Sequence, residues 1–173
     1  MSLLQRLFGA NSADPRERLQ PLYLAVIAKG RELQWYEAGM VPDTLDGRFD
    51  VISTILAMVL LRMEDIPGSG QDQAWLTEVF VDDMDAQMRE TGLGDVVIAK
   101  DIGKVMSILG GRLGAFRGAF DDEARLNQSI ARNIYEGETV DPDAHRHVAK
   151  QLFAFWQNLL ACDQAALIAG DIA

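Results

Sequence analysis

The chain has little of what most function classes require. Cys162 is the one cysteine among 173 residues. No internal disulfide can form, which fits a reducing compartment. Basic residues are outnumbered, 16 Lys and Arg against 26 Asp and Glu, for a net charge of −10. They are scattered, and direct nucleic-acid binding needs a concentrated positive patch. An anionic membrane surface repels such a chain on average. No apolar run approaches the roughly 20 residues of a membrane-spanning helix. The richest, residues 51–63, contains Ser53, Thr54 and Arg62. Leu3, Leu4, Leu7 and Phe8 form an apolar group too short for a signal-peptide core. These absences predict a cytoplasmic protein.

Catalytic signatures are missing as well. There is no Gly-x-Ser-x-Gly elbow, phosphate-binding P-loop or dinucleotide glycine fingerprint. GGRLG, residues 110–114, lies inside a helical pattern and follows no strand. His145 and His147 stand two apart, so on a helix they point in opposed directions. No Glu-x-x-His pair supports a di-metal bundle. The sequence predicts no cofactor, no metal and no small-molecule substrate.

What is present is helical periodicity in nearly every segment, with no clean strand alternation. We expect an all-α fold, a single compact domain of six or seven mostly antiparallel helices over residues 15–173. Residues 1–14 form a separate N-terminal segment, read as a short amphipathic helix that could touch a membrane or a partner weakly. Expected helices cover residues 15–31, 33–38, 47–66, 72–91, 95–120, 122–136 and 143–169. Pro21 marks a kink or a late start in the first. Asp46 is the expected N-cap of the 47–66 helix, with Asp50 in its first turn. Cys162 reads as a small buried core residue.

Gly103, Gly110, Gly114 and Gly118 line one face of the fifth long segment. Each glycine costs a helix interior about 1 kcal/mol relative to alanine. Close internal helix packing is the expected reason, and a partner's helix the alternative. Asp82, Asp83 and Asp85 form an acidic cluster whose spacing fails the DDxxD pattern of Mg2+-pyrophosphate enzymes, because Gln87 occupies the fifth position. A solvated or partner-facing patch is expected there.

Three blocks carry a resemblance. They are WYEAGMVPDTLDGRFDVIS (residues 35–53), VFVDDMDAQMRETGLGDVVIAKDIGKV (79–105) and GGRLGAF (110–116). In this order they resemble the ubiquinol–cytochrome c chaperones, assembly factors of the cytochrome bc1 complex. The likeness covers most of the chain from about Leu19. The departures are Met40 before Val41, Met88 for a leucine and Phe116 for a tyrosine. The resemblance implies an all-α fold, no catalysis, and a role in escorting newly made cytochrome b. Its partner is then cytochrome b or another bc1 subunit, with peripheral contact at the cytoplasmic face of the inner membrane allowed.

Much of the first block explains itself as a helix start, through the turn at Gly39, Pro42 and Asp43 and the capping oxygens of Thr44 and Asp46. Capping does not need Arg48, Asp43 and Asp50 together. We expect a buried Arg48 paired with an aspartate, organising a binding face with Pro42, Asp43, Thr44, Asp46, Phe49 and Asp50. In the second block Arg89 and Glu90 close a helix, Gly92 and Gly94 turn the chain, and Asp95 caps the next helix. These loops, with Asp82, Asp85 and Arg112, are the candidate partner-binding residues, expected beside an exposed apolar patch. The competing readings are a helical scaffold for another protein and, more remotely, a Mg2+-dependent enzyme using Asp82, Asp83 and Asp85.

Overall fold

The computed structural model describes residues 14–90 and 95–172, with the side chains of 95–97 left aside. The expected amphipathic helix at the N-terminus and the Gly92–Gly94 turn lie outside the described residues. Seven α-helices and no strand are present among those described. They are α1 Gln20–Gly30, α2 Leu45–Glu64, α3 Gly70–Glu90, α4 Asp95–Phe116, α5 Glu123–Asn133, α6 Pro142–Ala161 and α7 Gln164–Ala169.

Helix α2 is the central element. From Val51 to Met63 every side chain but Arg62 is buried. It packs against α1, α3, α4 and α6, which is why its sequence is apolar all round rather than striped. Trp35, Ile55, Leu56, Met58, Phe80, Phe116 and Phe155 are fully or almost fully buried around it. Each such side chain contributes about 1.5–3 kcal/mol of transfer free energy.

Several boundaries differ from expectation for local reasons. The first helix starts late: Pro15–Leu19 forms a 3-10 turn capped by Asp14, and α1 begins with Pro21 in its first turn. The cap of α2 is Thr44, not Asp46; its hydroxyl accepts from the Gly47 N–H at 3.1 Å. The helix therefore opens two residues early. Asp46 falls in the first turn and Asp50 beyond it, on the buried side. Helix α4 ends at Phe116 because Gly118 adopts a left-handed φ of 68°. The final helix is broken in two at Cys162, whose backbone is extended, and Asp163 caps α7. Arg62 accepts no place in the core stripe: it reaches across to donate to the Leu159 carbonyl at 2.9 Å and the Cys162 carbonyl at 2.7 Å. That satisfies carbonyls left open by the helix end. Cys162 is thus a half-buried cap rather than a core residue.

The glycine face of α4 is a further correction. A Cβ built at Gly103, Gly110, Gly111 or Gly114 meets no described atom within 4 Å. The face turns outward, so internal packing does not account for it. Gly118 lies outside the helix altogether.

Candidate functional site

The VPDTLDGRFD segment is held from three sides. Gly47 brings the first turn of α2 against the loop so closely that an added Cβ would strike the Pro42 carbonyl oxygen. At Gly39 an added Cβ would collide with the Trp35 carbonyl oxygen and sit 2.7 Å from Val148 Cγ2. The Gly39 carbonyl accepts from the Tyr135 hydroxyl at 2.6 Å, which ties the loop to the chain after α5. Burial pushes the Tyr135 phenol up to about 12, so it stays a donor at any ordinary pH. Trp35 is fully buried, and its indole N–H donates to the Lys29 carbonyl at 2.7 Å.

Beneath the loop lies a buried ion pair, Asp50 with Arg112, joining α2 to α4. Arg112 also donates to the Ser53 hydroxyl and, at 2.9 Å, to the Asn133 carbonyl at the end of α5. The Ser53 hydroxyl in turn donates to the Phe49 carbonyl. The guanidinium sits 5.4 Å from the Phe49 ring centroid, and Phe49 stacks on Phe80 at 6.4 Å. Burial raises the Asp50 pKa, and the Arg112 charge opposes that rise. Burial lowers the Arg112 pKa, and Asp50 opposes it. One guanidinium thus fixes the relative positions of α2, α4 and the α5 end. Arg112 Nε keeps no partner among the described residues.

This is the buried Arg–Asp pair expected of the segment, but with a different arginine. Arg48 is half-exposed and pairs with exposed Asp43 at 2.6 Å. It points away from the core because it lies on the outer side of the first turns of α2. Its hydrogen bond first, and its charge second, hold the Asp43 carboxyl below the usual range. Pro42 and Thr44 on the same loop and Asp46 in the first turn of α2 are exposed, together with Met40 at 56% and Leu45 at 86% exposure.

The loop forms one wall of a cleft of about 470 Å3, whose other wall is the 134–141 chain. That second wall was missing from the sequence reading. Its signal was the string YEGETVDPD, turn formers mixed with acids, but nothing in the sequence places it beside residue 40. Met40 and Glu136 both carry positive φ, 52° and 51°, so the walls are made by two sharply turned stretches.

The remaining expected residues sit elsewhere. Asp82 pairs with Arg16 at 2.7 Å, and Asp83 accepts from the Tyr23 hydroxyl at 2.7 Å, in a groove between α1 and α3. Burial first and this bond second raise the Tyr23 pKa well above its ordinary value. Asp85 pairs with Arg89 one turn along α3 at 2.6 Å, and Glu90 ends that helix, exposed. Asp95 opens α4; its expected capping role falls on a side chain outside those described. The structure therefore brings Pro42–Asp50 and Arg112 together and leaves the α3 acids on a separate groove. Among the described residues no three His, Cys, Asp or Glu side chains converge to hold a metal ion. No helix described is long and apolar enough to cross a membrane.

Comparison with known proteins falls on this same architecture. The family model described as ubiquinol-cytochrome C chaperone matches residues 37–173. The crystal structure of the Cbp3 homolog from Brucella abortus superposes with a TM-score of 0.78 at 28% identity, covering 99% of this chain and 96% of that one. No curated protein matches the chain.

Proposed function

The chain belongs to the ubiquinol-cytochrome C chaperone family, and from that premise we propose that it is a non-enzymatic chaperone that binds newly made cytochrome b during assembly of the bc1 complex. The carrying observation is the family match over the segment whose VPDTLDGRFD block is built as a rigid, outward-facing loop. Buried Asp50–Arg112 fixes the base of that loop, while Pro42, Thr44, Asp46, Met40 and Leu45 face solvent. A fixed base with apolar and polar side chains presented outward is suited to holding a polypeptide, because a preorganised surface loses little entropy on binding. We place the centre of the client surface here. The α3 acids Asp82 and Asp85 form its outlying part, since each already has an arginine partner.

The test is a deletion strain. Haem b and haem c absorbance of its solubilised membranes is recorded beside blots for the bc1 subunits. We expect loss of cytochrome b with other membrane cytochromes unchanged. An unaltered bc1 complex in that strain would refute the role.

One observation favours a second reading, a helical scaffold for another protein: the outward glycine face of α4, open over Gly103, Gly110, Gly111 and Gly114. Backbone so bare admits another helix at short range.

A further inference from the structure

A groove of about 610 Å3, separate from the VPDTLDGRFD loop, lies between α6 and the stretch that leads into and along α5. Its apolar part is Phe120, Leu126, Ala149 and Phe153. Phe153 is 43% exposed, and Leu160, seven residues on, is 45% exposed. That spacing puts both on one face of α6. Behind them Trp156 stacks on Phe120 at 4.8 Å, which fixes the floor.

The rim is divided by charge. Asp121 and Glu123 stand on the α5 wall, and Arg146 and Lys150 on the α6 wall, all four exposed. Asp121, Glu123 and Lys150 make no ion pair among the described residues, and Arg146 takes only exposed Asp143 of its own helix. The charges are balanced, two of each sign, and three of the four are uncommitted.

This pattern is complementary to itself. A second copy turned by 180° about an axis along the groove sets its α6 wall over the first copy's α5 wall, and the reverse. Arg146 and Lys150 of each copy then stand opposite Asp121 and Glu123 of the other. Each Phe153 faces the other copy's Phe120 and Leu126. A twofold contact requires such a surface, in which residue i meets j and j meets i. The net charge of −10 opposes contact between two copies in general. The cleft between residues 40–46 and 134–141 is lined by acids and by no base, so a second copy is repelled there. On the α5–α6 groove the same acids find bases opposite them.

We propose that the α5–α6 groove is the interface of a homodimer, with Phe153 in its apolar centre and Lys150 of each copy against Glu123 of the other. The inference goes beyond the chaperone reading and does not rest on it.

The experiment is sedimentation equilibrium on the full chain, with a thiol reductant present to exclude a Cys162 cross-link. The parent chain should form a dimer with a Kd on the order of 10 µM, as suits a small interface. Lys150→Glu and Glu123→Lys should each weaken it about tenfold or more, because each sets like charges together at both edges. An equimolar mixture of these two variants should regain the parent's association, since a mixed pair of copies has opposite charges at both edges. Two misfolded variants could not restore a dimer in this way. Phe153→Ser should weaken association without any change of charge. Glu138→Lys, the same charge change outside the groove, should leave the dimer intact. Association by the parent chain and the mixture, but by neither charge variant alone, supports the proposal. A dimer that Lys150→Glu and Phe153→Ser leave intact overturns it, and so does a mixture that fails to associate. A parent chain still monomeric well above the expected Kd also overturns it and leaves the groove to a different polypeptide.

Discussion

A Cβ added at Gly47 would strike the Pro42 carbonyl oxygen, whereas one added at Gly103, Gly110, Gly111 or Gly114 would meet no described atom within 4 Å. The two sets of glycines do opposite work. Those of the 30–47 region let backbone close on backbone: at Gly30 as well, an added Cβ would lie 2.5 Å from Ile52 Cγ1. Those of α4 leave a helix face bare. The first region is locked from below by the Asp50–Arg112 pair and from the side by Tyr135. Helix α4 belongs to both regions, since its inner side supplies Arg112, Leu109 and Phe116 to the core. A run of glycines at helical spacing therefore identifies a face, but the direction of that face depends on what else is on the helix.

The comparison breaks most severely at its lock. Arg112→Met would leave Asp50 buried without its counter-charge, and breaking a buried pair from one side costs about 3–5 kcal/mol. Urea unfolding should show the unfolding free energy falling by that amount, read as a lower midpoint with an unchanged slope. Asp50→Leu/Arg112→Met should recover most of the loss, because an apolar pair of similar volume needs no desolvated charges. A single-variant loss of under about 0.5 kcal/mol, typical of surface sites, would show that the pair anchors nothing. Gly47→Ala comes next. Overpacking against a backbone atom costs about 1–3 kcal/mol, and the better helix propensity of alanine returns up to about 1 kcal/mol of it. Thermal melting should still show a net loss, and a gain would mean that the loop yields easily.

Acid titration separates the lock from the surface of the same loop. Asp50 has a folded pKa raised above its ordinary value of 3.8, chiefly by burial. Such a group contributes stability that is complete below the unfolded value and lost as pH rises through the folded one. Asp43 has a folded pKa lowered by Arg48, so its contribution is present above 3.8 and fades as pH falls through the folded value. Asp50→Asn should therefore compare worse with the parent chain as the pH is brought down from neutral toward 4. Asp43→Asn should show the reverse trend over the range below about 4. Urea midpoints measured across that range check both signs, and parallel trends would refute the distinction.

The helices were legible because apolar spacing reports on local geometry. The end of α4 and the break at Cys162 were not legible. Both depend on tertiary partners: Arg62 stabilises the α6 terminus from a hundred residues away in sequence. The candidate site was legible in part. The segment's sequence points to an arginine organising it, but to Arg48 within the segment rather than to Arg112. Arg112 carried a better signal, since it occupies the apolar phase of its helix with Val105, Leu109 and Phe116, all buried. A charge in that phase requires a buried partner of opposite sign. Asp50, in the apolar phase of α2, meets that requirement 62 residues away.

The smallest expected effect is also the one that tests the other half of the comparison. Gly114→Ala adds a methyl group to a face where no described atom lies within 4 Å. Alanine loses less backbone entropy than glycine on entering a helix, so the substitution should stabilise the fold by about 0.5–1 kcal/mol. Differential scanning calorimetry at matched concentration reads the change as a modest rise in Tm. The sign carries the information. A rise fits a bare outer face, and a fall means that something presses on that backbone after all. Gly114→Leu extends the same logic to function: it projects a long side chain from the face while leaving the inner stripe of α4 untouched. If the variant folds with a raised Tm and still supports bc1 assembly in the cell, the glycine face is spare surface and the anchored loop region is where the client meets this protein. If it folds but assembly fails, a second helix docks along α4 at close range, and the two regions act together.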